Sequence, residues 1–153
     1  MIAPARIRTS RGGTFVFDSA GAVAAIGKVH DRDGVLADLV TWLPGRPGTW
    51  WLRRGTETPV LGARDLAVAA WFHEPIRLYS TPESWFLSGQ DGVCVLMWSA
   101  SMIDLFDGVA EVVVADPTFK RKLTRAWRSW EPRVVVDVDG RRRRTHQEVR
   151  DAA

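Results

Sequence analysis

The apolar positions of this chain change period partway along it. Up to residue 54 they come in short extended runs divided by turn residues. Thr14-Phe15-Val16-Phe17 is a strand closed by the Asp18-Ser19-Ala20-Gly21 turn. Residues 22–29 and 35–42 flank His30-Asp31-Arg32-Asp33-Gly34, and Asp/Gly clusters between apolar runs mark hairpins. Within 35–42, Leu36, Asp38 and Val40 alternate with Val35, Ala37, Leu39 and Thr41, the period of a strand. Pro44 and Pro47 make 43–48 a turn, and 50–53 returns as the next strand. Trp50 and Trp51 are adjacent and point to opposite faces, so one covers the core and the other an outer surface or neighbouring element. Residues 1–13 read as a loose start and 56–62 as a connector.

From residue 63 the pattern alternates between helix and strand. Leu66, Ala69, Ala70 and His73 are spaced for a helix over 63–73, stopped by Glu74-Pro75. Strands are predicted over 76–80, 92–98 and 111–115, and helices over 81–88, 101–107 and 117–130. Thr81 before Pro82 forms an N-cap, Ser101 with Asp104 resembles a capping box, and Gly89 and Gly108 suit helix ends. Asp116-Pro117 opens the last helix, where Phe119, Leu123, Ala126, Trp127 and Trp130 form one apolar stripe. Pro132 ends it before a strand over 134–138. The fold class is α/β (α+β overall). It is a single domain over 1–153, with an antiparallel β-meander over 14–54, an α/β layer over 55–138 and a basic, flexible tail over 139–153. Alternating strands and helices imply parallel pairing.

Composition adds little until charge is resolved along the chain. At 153 residues the length suits one domain, and 46% apolar and 25% charged residues are ordinary for a globular protein. No apolar run reaches the length of a membrane span, and the start lacks an apolar signal core, so a cytoplasmic protein is expected. The net charge of +3 hides an asymmetry: residues 1–116 carry 10 Lys/Arg against 13 Asp/Glu, residues 117–150 carry 11 against 4. A basic end of this kind suits polyanions. The candidate nucleic-acid contacts are Lys120, Arg121, Lys122, Arg125 and Arg128 on the last helix and Arg141, Arg142, Arg143 and Arg144 in the tail.

Catalytic chemistry finds few carriers. There is no Gly-rich phosphate loop, nucleophile elbow or two-histidine helix motif. His30, Asp31 and Asp33 serve a hairpin turn better than a cation, and His73 beside Glu74 reads as a local cap or ion pair. His146 lies in the basic tail with no partner in view. Cys94, the only cysteine, sits mid-strand as a buried, inert thiol. Asp116 follows an apolar strand and opens a helix, the place where open α/β sheets hold ligands; it is equally a helix cap. Of the eight tryptophans, Trp127 and Trp130 fall on the apolar stripe and most of the rest are expected in the core.

The order of elements over 75–130 resembles a Toprim domain, the metal-binding α/β domain of bacterial-type primases, topoisomerases and some nucleases. Residues 22–54, with the Asp31-Arg32-Asp33-Gly34 turn, are similar to the region leading into that domain in primase-helicase proteins of phages and mobile elements. The resemblance implies a Toprim-like, Rossmann-like βαβαβα layer. Its metal chemistry departs from the family. Ser80-Thr81-Pro82 stands where the family has Glu-Gly, with Glu83 one turn late, and Asp116-Pro117-Thr118 replaces two aspartates one residue apart. Only Asp116 carries over as a candidate metal ligand, and one carboxylate does not hold Mg²⁺ tightly.

Three readings follow. The leading one is a non-catalytic, nucleic-acid-associated accessory protein of phage or mobile-element origin, with no cofactor. The next is a protein–protein interaction module using exposed tryptophans. The third is an enzyme using Asp116 with Glu83 and Asp91.

Overall fold

In the computed structural model, which describes residues 2–46, 48–55, 60–98, 104–126, 133–138 and 141–142 and side chains through Arg125, the chain begins with a strand. β1 (Ile2–Thr9) pairs antiparallel with β2 (Phe15–Phe17) and with β3 (Ala22–His30). The loose start expected over 1–13 is therefore corrected. Ile7 is the only fully buried residue of β1, so the strand lacks the alternation that would announce it, and its two ladders hold it.

The first sheet has the order β2-β1-β3-β4-β5, with β4 at Leu36–Trp42 and β5 at Trp50–Leu52. β3, β4 and β5 form the expected meander, but β1 separates β2 from it. The sheet curls until its edges meet. Leu52 donates its N–H to the Gly13 carbonyl at 3.0 Å, and Thr14 bridges Leu52. Arg53 donates to the Phe15 carbonyl at 3.3 Å and lies 5.8 Å from the centre of the Phe17 ring. At the β3–β4 hairpin, Asp31 accepts the N–H groups of Asp33 and Val35, so its carboxylate serves its own turn as anticipated.

The second sheet is mixed, with the order β11-β10-β9-β7-β8-β6. β6 (Val60–Leu61) lies in the expected connector; both its residues are buried, and it pairs antiparallel with β8 (Val93–Val95). Two residues are too few to show a period. α1 (Ala63–Phe72) leads to β7 (Pro75–Tyr79), and α2 (Pro82–Leu87) to β8. A short 3₁₀ turn over Asp104–Phe106 replaces the helix expected over 101–107; residues 101–103, with Ser101, lie outside the described residues. β9 (Glu111–Val114), α3 (Pro117–Ala126), β10 (Arg133–Val138) and β11 (Arg141–Arg142) complete the sheet. The pairs β7–β8, β7–β9 and β9–β10 are parallel, as the alternation of helix and strand implies. The α2 cap forms as read: the Thr81 hydroxyl accepts the Ser84 N–H at 3.1 Å. The fold is mixed α and β, a curled antiparallel sheet beside a second, mixed one.

The two sheets share a core. Val29, Val40, Trp42 and Leu52 of the first pack with Leu61, Trp85, Phe86, Cys94 and Leu96 of the second unit. On the far face of the second sheet, Leu66, Ala69, Phe106 and Leu123 cover Ile76, Leu78, Val93, Val112 and Val114. Ile7, Phe15, Ala24 and Ile26 fill the inside of the curled sheet. The Trp50–Trp51 pair divides as its alternation requires. Trp51 packs inside the curl, while Trp50 turns to the second unit and donates its indole N–H to the Leu96 carbonyl at 2.9 Å. Gly27 lets the two units approach, because a Cβ there would overlap the Phe86 ring.

Candidate nucleic-acid interface

The parallel part of the second sheet has a switch point. β7 and β9 are neighbours, but the chain leaves β7 toward β8 and leaves β9 toward β10. Open α/β sheets bind ligands outside the carboxyl ends of such strands. Here that edge carries Ser80, Thr81 and Glu83 after β7 and Asp116 after β9. Asp116 is exposed and accepts the Thr118 N–H at 2.8 Å, while its carbonyl accepts that of Lys120 at 2.9 Å. It caps α3, one of the two roles its position suggests. Asp91 precedes β8 and so lies at the opposite, amino edge, which separates it from Glu83 and Asp116. Among the described residues, no group of three or more His, Cys, Asp or Glu side chains is arranged to hold a metal ion.

α3 is amphipathic because Phe119 and Leu123 fall on one side of it. Leu123 is buried against the sheet, and Phe119 is half-buried with its ring edge-on to Trp98 at 6.3 Å. Arg121, Lys122 and Arg125 are thereby left exposed and Lys120 half-exposed. Lys120, Arg121, Thr124 and Arg125 line a shallow cleft of about 410 Å³. None of the four cations is ion-paired with a described residue; Arg121 reaches only the Thr118 hydroxyl, at 3.5 Å. Because β10 runs parallel to β9, β11 starts at the edge where α3 starts. Arg141 and Arg142 therefore share an edge with the first turns of α3, with Arg142 opposite Asp137 in the ladder. This pairing carries the basic tail two residues into the sheet. Arg128, Arg143, Arg144, His146, Trp127 and Trp130 lie outside the described residues.

The other candidates have local roles. His73 ends α1 in the left-handed region, and its Nδ1 lies 2.7 Å from the Gly108 carbonyl, so that nitrogen carries the proton and donates it. Cys94 is fully buried, and burial pushes its thiol far above its ordinary value. A thiol reagent is expected to leave the native protein unmodified and to label it fully once it is unfolded; rapid labelling of native protein would contradict this burial.

A second feature went unread in the sequence. A cavity of about 390 Å³ opens at the amino edge of the parallel strands, lined by Asp65, Glu74, Arg77 and Asp91 among others. Burial, aided by the charge of Asp91, raises the Asp65 carboxyl above the usual carboxylate range, against a hydrogen bond from the Gly92 backbone and the charge of Arg64. These residues come from α1, the link after it, β7 and the loop before β8, with no common spacing to reveal them. No helix of the described chain is long and apolar enough to cross a membrane. Compared with protein-family models, curated proteins and solved structures, the chain finds no significant match.

Proposed function

We propose that this chain is a non-catalytic, Toprim-like accessory protein that contacts nucleic acid through α3 and the arginines of β11, in the setting of a phage or mobile-element replication system. The observation that carries the reading is the set Lys120, Arg121, Lys122 and Arg125 on α3, none of it ion-paired with a described residue, on a helix whose first turns share a sheet edge with Arg141 and Arg142. Lys and Arg neutralise phosphates and release counterions, a contact that positions a protein without reading sequence. The parallel order with a switch point between β7 and β9 supports the Toprim likeness, since the family sites its carboxylates after two such strands. Asp116 is the one that remains, and it is engaged by its own helix.

Binding is therefore non-specific, with Kd on the order of 10⁻⁴–10⁻⁶ M at physiological salt. A titration of single- and double-stranded oligonucleotides at several salt concentrations tests it. The logarithm of affinity is expected to fall linearly with the logarithm of salt, and replacing Lys120, Arg121 and Arg125 by alanine to flatten that slope without unfolding the chain. Absence of binding at low salt would refute the proposal. A second reading, a protein–protein interaction module, draws on a different observation: the exposed rings of Trp71 and Phe72 on α1.

A further inference from the structure

We propose that the outer face of α1 is a two-fold interface with a second copy of this chain. α1 buries Leu66 and Ala69 in the core beneath it. Its opposite face is apolar as well. Val68, Trp71 and Phe72, at i, i+3 and i+4, are 44%, 84% and 65% exposed. A helix that is apolar all round belongs between two packed layers, and a clustered apolar patch on a surface marks an interaction site. The described chain supplies only the inner layer.

Area and charge together favour a second copy as the occupant. A standard interface takes about 800 Å² from each partner, somewhat more than half of it apolar. The exposed parts of the two aromatic rings and Val68 amount to on the order of 400 Å², most of the apolar core such an interface needs. Arg64 lies on the same outer face, one turn before Val68, and Glu74 follows the end of the helix; both are exposed. In an antiparallel pairing of two α1 helices centred at the level of Ala69, Arg64 of each copy comes opposite Glu74 of the other. A two-fold axis makes that contact twice. Asp65, Val68 and Glu74 also border the cavity beside α1. Trp71, the most exposed of the three, is the central anchor. The proposal uses no residue of α3 and stands apart from the nucleic-acid reading.

Analytical ultracentrifugation of the full chain over a concentration series tests this. A monomer–dimer equilibrium is expected. Trp71→Ala should raise the dissociation constant about 30-fold or more, the usual effect of truncating a central aromatic anchor. The circular dichroism spectrum of that variant should stay unchanged, since the ring lies outside the core. Arg64→Glu and Glu74→Arg should each weaken the dimer, and the two together should restore it. A chain that remains monomeric, or whose α1 face is instead occupied by a different protein, overturns the proposal. So does a dimer indifferent to Trp71→Ala, or a charge swap that fails to recover association.

Discussion

Trp42→Ala is expected to cost about 3–5 kcal/mol, the range for deleting a large aromatic from a core that cannot collapse around the gap. Trp42 is 1% exposed and stands where the two sheets meet. Its ring stacks on Phe86 with centroids 5.5 Å apart and planes 20° off parallel, and Phe86 in turn meets the edge of Trp85 at 4.9 Å. Trp85 is fixed through its indole N–H on the Gly92 carbonyl at 2.7 Å. The neighbours of Trp42 are thus held on several sides and have little freedom to close the hole. Since the aromatic cluster joins the curled sheet to the α/β layer, the loss should be felt by both. A single thermal transition lowered by on the order of 10 °C is the expected result for a chain of this size. A variant that melts in two steps, with the second half unaffected, would show that the two units do not depend on this contact.

Asp38→Ala is expected to cost about 1–3 kcal/mol, because it leaves backbone donors without their carboxylate acceptor. Asp38 is 4% exposed on β4. Its carboxylate accepts the Arg54 N–H at 3.1 Å and the Gly55 N–H at 3.1 Å, so it fastens the chain as it leaves β5. A donor left unpaired and out of reach of water costs about 1–3 kcal/mol, and Arg54 and Gly55 lie at exposed positions where water takes up part of that cost. Asp38→Asn keeps one acceptor oxygen in place and should recover part of the loss. Urea denaturation of the three proteins gives the comparison; equal midpoints for wild type and the alanine variant would mean that water replaces the carboxylate without cost.

Asp38 also shows where reading a sequence stops. Its alternation with Val40 is plain in the chain, and the structure does place both on one buried face. Periodicity says that they share a side. It does not say that a carboxylate is acceptable there, which depends on two amides 16 and 17 residues later. Trp50 and Trp51 mark the opposite case. Adjacent residues of a strand must diverge, so their separation follows from backbone geometry alone. Which ring meets which core required the second sheet to be in place.

The same division runs through the rest of the protein. Local chemistry determined the Thr81 cap, the Asp31 turn, the Asp116 cap and the shared side of Phe119 and Leu123 on α3, because each depends on residues within one or two turns of the chain. The basic character of α3 follows as well, since burying Phe119 and Leu123 leaves the cations outside. Strand identity at β1 and β6 did not, because one strand is nearly unburied on its own and the other has two residues; distant partners create both. Only the tertiary structure decided that β11 shares an edge with the start of α3, that Asp91 lies at the far edge from Asp116, and that Val68, Trp71 and Phe72 face outward. Periodicity reports that a helix is apolar, but which apolar face is covered depends on what the rest of the chain brings against it.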